Sequence, residues 1–200
     1  MRITAEEKDA TRRRIVEAAF DLFRQDGFDA ATTRDIARRA GIATGTLFNY
    51  FDTKEAVLAH LAGEALVKAR AAFAKQALEP DLEEELFALI AAELRQLKPL
   101  RKFMGTLLET VLSSLAVPNG AGRDESLRVA HLELVTGIAR KHGLAELSPF
   151  ALQIYWALYT GVLAFWSADK SPKQEDTLAL LDQSLHMFSA WLLPHAGDSS

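Results

Sequence analysis

Apolar residues recur every three or four positions along almost the whole chain, a spacing that places them on one face of an α-helix. In residues 9–26 this face holds Ile15, Ala18, Ala19, Leu22 and Phe23. No segment shows the alternation of apolar and polar residues that is typical of a β-strand. The pattern therefore predicts an all-α fold of about nine helices, at residues 9–26, 33–41, 44–51, 53–76, 81–97, 99–115, 124–142, 149–168 and 173–193.

Glycine, proline and capping residues give these helices their predicted ends. Gly27 and Gly41 follow two helices, as C-terminal caps do, and Thr33 is placed where an N-cap is expected, with Asp35 in the first turn. Pro80, Pro99 and Pro149 mark further starts, because proline is tolerated in a first turn but not inside a helix. Residues 116–124 combine Pro, Asn and Gly and predict a loop, Pro194 closes the last helix, and 195–200 is expected to be a frayed tail.

The composition narrows the class of protein. The 200 residues carry a net charge of −4 and no cysteine, which excludes disulfides and cysteine-ligated metals and suits a reducing, cytoplasmic setting. The charged N-terminus does not resemble a secretory signal. Residues 151–168 approach the length of a membrane span, but they contain Gln153, Thr160 and Ser167 and lack basic flanks, so we expect a buried helix and no membrane.

The short helices within residues 32–55 predict a DNA-reading element. Two helices joined by a tight turn at a steep angle form a helix-turn-helix, and Gly41 can adopt the positive φ that such a corner needs. Leu47 and Phe51 lie four residues apart on the buried face of the second helix. The opposite face is polar but uncharged, and it is formed by Thr44, Gly45, Thr46, Phe48, Asn49 and Tyr50.

These residue types suit the surface of a DNA duplex. Small residues let a helix enter the major groove, threonine offers a hydroxyl and a methyl, and asparagine pairs with adenine. Thr33 and Lys54 are candidates for phosphate contacts at helix N-termini, and Arg34 for a phosphate or a guanine edge. Residues 1–54 carry ten Lys or Arg and nine Asp or Glu, whereas the rest carries 13 and 18. DNA binding would therefore depend on a few placed groups instead of bulk positive charge.

The stretch TTRDIARRAGIATGTLFNYFDTKEAVL, with ATRRRIVEAAFDLFRQDGFDAAT before it, closely resembles the signature of TetR-type bacterial transcriptional regulators. The resemblance covers residues 11–58 and implies a helix-turn-helix domain at 1–54 and a helical ligand-binding and dimerisation domain at 55–194. It implies phosphate contacts from Thr33 and Lys54, a groove position for Arg34, a recognition helix opened by Thr44, Gly45 and Thr46, and DNA contacts from Asn49 and Tyr50. The family usually has tyrosine where this chain has Phe48, so a hydroxyl contact from that position is lost.

The last two helices each carry a long apolar pattern. The helix at 149–168 has two apolar faces, one with Ile154, Leu158 and Phe165 and the other with Tyr155, Tyr159 and Trp166. Two such faces indicate either two partners or a central place in a monomeric core. The resemblance favours pairing with a second copy in a four-helix bundle. The candidate residues for this homodimer interface are Ile154, Leu158, Phe165, Leu178, Leu181, Leu185, Phe188 and Leu192.

The middle helices supply candidates for a ligand pocket. An apolar pocket of about 300–1,000 Å³ would suit a hydrophobic small-molecule effector. Its candidate lining residues, each of which also fits an ordinary core, are Phe73, Phe87, Phe103, Met104, Leu107, His131, Leu134, Trp156 and Tyr159.

The sequence thus predicts a ligand-responsive transcriptional regulator that binds an inverted-repeat DNA operator as a homodimer and is released by a small molecule. Repression is the expected outcome, with activation left open. No cofactor and no metal is predicted. A helical-bundle enzyme is disfavoured because the five histidines are scattered and no phosphate-binding loop or serine elbow is present. A sequence-tolerant DNA-binding protein without an inducer is disfavoured by the acidic balance of the chain.

Overall fold

The computed structural model describes residues 4–75, 81–109, 123–144 and 146–195. These residues form helices and no β-strand, so the predicted all-α fold is confirmed. The helices are α1 (Ala5–Gln25), α2 (Thr33–Arg39), α3 (Thr44–Phe48), α4 (Lys54–Phe73), α5 (Leu82–Leu97), α6 (described over 104–109), α7 (Arg123–Lys141), α8 (Pro149–Ala168) and α9 (Glu175–His195).

Several helix ends differ from the prediction; α1, for example, begins at Ala5 instead of residue 9. α3 stops at Phe48 instead of residue 51. The helix expected to begin at Pro99 is preceded by a 3₁₀-helix over Lys98–Phe103, which has Pro99 in its first turn. α9 continues past Pro194 to His195. Residues 110–115 of a predicted helix, most of the predicted loop at 116–124 and tail residues 196–200 lie outside the described residues.

The chain divides into two compact units, Met1–Glu64 and Ala65–Ser200. The predicted DNA-binding domain ends at residue 54, whereas this division falls inside α4. Helix α4 therefore begins in the first unit and ends in the second.

The first unit is a small three-helix arrangement closed by the start of α4. Helix α1 packs on α2, and α2 packs on α3. The core consists of apolar side chains with almost no solvent exposure, among them Ile15, Phe23, Ile36, Leu47, Phe51 and Leu58. Burying each such side chain contributes about 1.5–3 kcal/mol, which is how a five-residue helix such as α3 is held in place.

The second unit is a helical bundle in which α5 packs on α7 and α9, and α8 packs on α9. Its core includes Leu89 and Ile90 of α5, Tyr155 and Trp166 of α8, and Phe188 of α9. Helix α8 is buried on the face of Tyr155, Tyr159 and Trp166, as an internal packing face requires. Within the described part of the chain, no helix is long and apolar enough to cross a membrane.

Candidate functional site

The N-cap of helix α2 lies one residue earlier than the sequence suggests and is also a threonine. The N-cap is Thr32, whose hydroxyl accepts from the Asp35 backbone N–H at 3.1 Å and donates to the Asp35 carboxylate at 2.5 Å. The hydrogen bond from Thr32 lowers the pKa of Asp35. The predicted N-cap, Thr33, is instead the first residue of the helix and is half-exposed. Because Thr32 performs the capping, the Thr33 side chain remains available to a partner outside the chain.

The corner between α2 and α3 depends on Gly41. Its φ is 68°, in the left-handed region that favours glycine. The next residue, Ile42, donates its backbone N–H to the carbonyl of Ala37 at 3.0 Å and so closes the end of α2. This geometry turns the chain sharply into α3, as predicted for a helix-turn-helix.

Helix α3 presents two chemically different sides. Leu47 has no exposed surface and Phe51 is 1% exposed, so both point into the core. Gly45, Phe48 and Asn49 are exposed, and Thr44, Thr46 and Tyr50 are half-exposed. Asn49 is the C-cap and Tyr50 lies in the following turn, so both extend the surface beyond the helix itself. A phenyl ring that is 47% exposed, Phe48, lies in the middle of this surface.

The arginines near this surface differ in their partners. Arg38 donates to Asp35, and Arg39 donates to Gln25 at 2.9 Å and to Asp21 at 3.2 Å. Arg34 is exposed and forms neither a hydrogen bond nor an ion pair with another residue of the described chain. Its charge is therefore available to an external anion, whereas those of Arg38 and Arg39 are partly balanced.

Lys54 is bound inside its own unit. Its ammonium donates to the carbonyl oxygens of Phe28 (2.7 Å), Asp29 (3.1 Å) and Ala31 (3.2 Å) and lies 4.5 Å from the centre of the Phe28 ring. An ammonium has three N–H donors, and each has an acceptor here. The sequence places Lys54 correctly at the start of α4, but it does not reveal these contacts with the loop between α1 and α2.

A group of buried polar and aromatic side chains lies in the interior of the second unit. His131 of α7 is 1% exposed and Glu93 of α5 is fully buried. The imidazole Nδ1 lies 3.0 Å from the Glu93 Oε1 atom, and Nε2 lies 3.1 Å from the Tyr155 hydroxyl. Burial and the negative charge of Glu93 raise the pKa of Tyr155 and of Tyr159 well above the usual value, so both hydroxyls stay protonated.

This cluster contains polar atoms that its own members do not satisfy. Among the described residues, no hydrogen-bond partner is found for Glu93 Oε2, for the Trp156 indole N–H, or for the Nε and Nη2 groups of Arg70. Arg70 Nε is 3.9 Å from Glu93 Oε1, an ion-pair distance without a hydrogen bond. Buried polar atoms are nearly always hydrogen-bonded, so these four indicate a place where another molecule completes the network. We refer to Arg70, Glu93, His131, Tyr155, Trp156 and Tyr159 as the Glu93 cluster.

The sequence identifies only part of this cluster. His131, Trp156 and Tyr159 are predicted pocket residues, and the structure brings them together: the His131 ring lies 4.2 Å from the Tyr159 ring and 6.0 Å from the Trp156 ring. Glu93, the group they surround, is missing from the prediction. A signal for it exists, because Glu93 follows Leu86 and Leu89 at helical spacing on the buried face of α5.

The remaining predicted pocket residues occupy buried or half-buried positions. Phe103, Met104 and Leu107 are buried, and Phe73, Phe87 and Leu134 are half-buried. Such burial is what the core of a helical bundle requires, and the role of these six side chains in a pocket stays a prediction.

The predicted interface residues fall into two groups. Ile154, Phe165 and Leu178 are exposed and Leu158 is half-buried. Leu181, Leu185, Phe188 and Leu192 are buried within a single copy, and their place at an interface stays a prediction. The exposed face of α8 runs through Phe150, Ile154, Leu158, Gly161 and Phe165.

The geometry of the first unit is that of a helix-turn-helix, and comparison with known proteins shows which family model this unit matches. Residues 15–61 match the family model described as bacterial regulatory proteins, tetR family. The repressor KstR2 of Rhodococcus jostii is 41% identical over 51 residues, which are 26% of this chain and 25% of that protein. The chain thus aligns with about a quarter of the length of its curated relatives. The match to the tetR family model is confined to the N-terminal unit.

Solved structures extend the likeness of fold to the second unit. A TetR transcriptional regulator from Rhodococcus sp. RHA1 superposes with a TM-score of 0.70 at 18% identity, covering 91% of this chain and 97% of that one. FadR of Thermus thermophilus, solved in complex with lauroyl-CoA, superposes with a TM-score of 0.61 at 24% identity and covers 89% and 93%. At these identities the likeness concerns the fold alone.

Proposed function

We propose that this protein is a transcriptional regulator that binds an inverted-repeat DNA site as a homodimer and releases it when a small molecule binds the second unit. The observation that carries the proposal is the contrast between the two sides of α3. Leu47 and Phe51 fix the helix to the core, and an uncharged polar surface with an exposed ring faces outwards. Such a surface is suited to the edges of base pairs in the major groove.

Each DNA-facing group has a chemical role in this proposal. Thr44, Gly45 and Thr46 open the recognition helix and let it approach the bases, while Asn49 hydrogen-bonds a base edge. Thr33 and Tyr50 contact phosphates, and Lys54 holds the loop that precedes Thr33. Arg34 supplies a positive charge that has no partner among the described residues. Phe48 contacts a thymine methyl through its exposed ring.

Dimerisation uses the exposed face of α8. Phe150, Ile154 and Phe165 are 80%, 41% and 44% exposed, which is unusual for large apolar side chains that recur at helical spacing. The opposite face of α8 is occupied by the core, so only the exposed face is free to meet a second copy. A two-fold dimer reads two half-sites about 34–36 Å apart, or a multiple of that distance, which gives selectivity that one short helix lacks.

Release of the DNA follows from thermodynamic linkage between ligand binding and DNA binding. A ligand that binds better to the conformation with the wrong spacing of recognition helices must lower DNA affinity by the same coupling free energy. Helix α4 is the connection, because it begins in the first unit and ends in the second. The lauroyl-CoA held by FadR supports a small-molecule site in this fold.

The experiment is a selection from random duplex DNA with the purified chain, followed by sequencing of the retained fraction. We expect an inverted repeat. The variants Thr46→Ala and Asn49→Ala should change the preferred bases at one position of each half-site. Lys8→Ala, at an exposed position of α1, should leave the preferred bases unchanged. Retention of no sequence over background, or equal retention of every duplex, would contradict the proposal.

A further inference from the structure

The unsatisfied atoms of the Glu93 cluster define the chemistry of a partner. Glu93 Oε2 can only accept a hydrogen bond when the carboxyl is ionised, whereas the Trp156 indole and the Arg70 guanidinium can only donate. The complementary group must therefore offer a hydrogen to Glu93 and a lone pair to Trp156 or Arg70. A hydroxyl group does both with a single oxygen.

The internal hydrogen bonds of the cluster leave these atoms free. Because a carboxylate only accepts, Nδ1 of His131 donates to Glu93 Oε1. In the tautomer that carries its hydrogen on Nδ1 alone, the ring accepts at Nε2 from the hydroxyl of Tyr155, which stays protonated. Both nitrogens of His131 and one oxygen of Glu93 are thereby used within the chain. The second oxygen, Oε2, has no hydrogen-bond partner among the described residues and can accept from an external donor.

The charge of the cluster excludes ionic partners. The guanidinium of Arg70 and the carboxylate of Glu93 lie at 3.9 Å and balance each other. The nearby Arg128 lies over the Trp156 ring at 5.5 Å, but its guanidinium donates to Gln153 at an exposed position, where water solvates its charge. An anion or a cation would add an unbalanced charge beside a fully buried carboxylate, which is strongly unfavourable.

Aromatic rings make up the rest of this cluster. The rings of His131 and Tyr159 are stacked at 4.2 Å, and Trp156 lies 5.3 Å from Tyr159. Rings of this kind favour an aromatic partner, which they contact in offset or edge-to-face arrangements.

We infer that the Glu93 cluster binds the hydroxyl group of an uncharged aromatic compound, of which phenol is the simplest. Its hydroxyl donates to Glu93 Oε2 and accepts from the Trp156 indole N–H or from Arg70. The role of this site as the effector site rests on the function proposed above, but the binding itself does not. A fatty-acyl carboxylate or phosphate does not match the cluster.

The test is a titration of the full chain with phenol at pH 7, monitored by the indole N–H signals of its three tryptophans in a ¹⁵N–¹H spectrum. The signal absent from Trp156→Phe identifies Trp156. We expect phenol to shift that signal saturably and to leave the Trp166 signal in place. Trp166 is a matched reference, because it is buried on the same helix, has an indole N–H without a described partner, and lies about 15 Å further along the axis.

Matched ligands and variants test each contact. Anisole has the same ring and an acceptor oxygen but no hydroxyl hydrogen, and it should bind at least about tenfold more weakly. Benzoate and benzylammonium should bind more weakly still. Glu93→Gln and Trp156→Phe should each weaken phenol binding about tenfold, measured from the phenol ring signals. Trp166→Phe should leave it unchanged.

Each contrary result has a defined meaning. An unmoved Trp156 signal in millimolar phenol shows that phenol does not bind at the cluster, and equal binding of anisole shows that Glu93 receives no hydrogen. Either result overturns the inference. The DNA selection is independent of this titration. Phenol binding without DNA retention would reject the regulator and keep the site, whereas DNA retention without phenol binding would reject only this inference.

Discussion

The ammonium of Lys54 lies 2.7 Å from the carbonyl oxygen of Phe28, and two more carbonyls from the same loop complete its hydrogen bonds. The side chain therefore ties the loop before α2 to the start of α4. A lysine at this position has two possible functions: it can contact a phosphate directly, or it can hold the loop that positions α2 and Thr33.

Replacement of Lys54 separates these functions. Lys54→Ala should lower the free energy of unfolding by about 1–3 kcal/mol, because partly buried carbonyls lose a charged donor. We expect DNA affinity to fall while the slope of log K against log salt stays the same. A slope reduced by about one would instead show that Lys54 leaves the loop and pairs with a phosphate. Urea denaturation and binding at several salt concentrations provide the measurements, with Lys8→Ala as the control.

Two glycines of the helix-turn-helix should respond to alanine with opposite signs. Gly41→Ala should destabilise the fold by about 1–2 kcal/mol, because its φ of 68° is unfavourable for a side chain. The added Cβ would meet nothing closer than Arg14 Nη1 at 4.0 Å, so the cost arises in the backbone.

The Gly45→Ala variant is the comparison for Gly41→Ala. Gly45 lies inside α3 with open space around its missing Cβ, so Gly45→Ala should stabilise the fold by up to about 1 kcal/mol. It should also weaken DNA binding, since the new methyl lies on the exposed side of α3. Thermal unfolding and DNA binding of both variants provide the measurement. A stabilised Gly41→Ala variant would contradict the proposed geometry of the corner.

The link between α8 and α9 should be sensitive to acid. The Asp169 carboxylate accepts from the Thr177 hydroxyl at 2.5 Å, from the Ser171 N–H at 2.7 Å and from the Thr177 N–H at 3.1 Å, which holds the pKa of Asp169 well below its usual value. A carboxyl whose folded-state pKa is lowered stabilises the fold above its unfolded pKa of about 3.9, and this contribution is lost as the pH falls further.

We therefore expect Asp169→Asn to lower the melting temperature at pH 7, and the difference from the unmodified chain to shrink as the pH falls from about 5 towards 2. Asp182→Asn, at an exposed position of α9, should show little difference at either pH. A constant difference across this range would mean that the ionised form of Asp169 is not what stabilises the link.

The fold can be predicted from the sequence because particular residue types, such as glycine and proline, mark the ends of its helices. Gly27 and Gly41 end helices with positive φ, and Pro149 opens α8, as the sequence indicates. The errors have the same origin. Pro99 is expected to open an α-helix but lies in a 3₁₀ turn, and Thr32 caps α2 where Thr33 is expected. Adjacent threonines present the same capping chemistry, and only the backbone geometry distinguishes them.

The candidate sites are less predictable because they depend on contacts between distant residues. Helical spacing places Phe48 and Asn49 away from the buried side of Leu47, so the exposed surface of α3 can be predicted from the sequence. No spacing reveals that Lys54 meets the carbonyl of Phe28 or that His131 meets Glu93. Periodicity also cannot distinguish an apolar face that packs inside one chain from one that packs on a second copy. The prediction places Leu181 and its neighbours at the interface on periodicity alone; these residues are buried within a single copy, and their place at an interface stays a prediction.

The exposed face of α8 carries the last prediction. Ile154→Lys and Phe165→Lys place a charge in the middle of the proposed interface while leaving the core untouched, because both side chains are exposed in a single copy. We expect each variant to remain helical, to sediment as a monomer, and to bind the selected DNA at least about tenfold more weakly, since one recognition helix reads only one half-site. Val67→Lys, at a 63% exposed apolar position of α4, is the matched control and should remain a dimer. If the two α8 variants stay dimeric, the interface lies elsewhere. If the unmodified chain is itself a monomer that retains an inverted repeat, pairing must occur on the DNA.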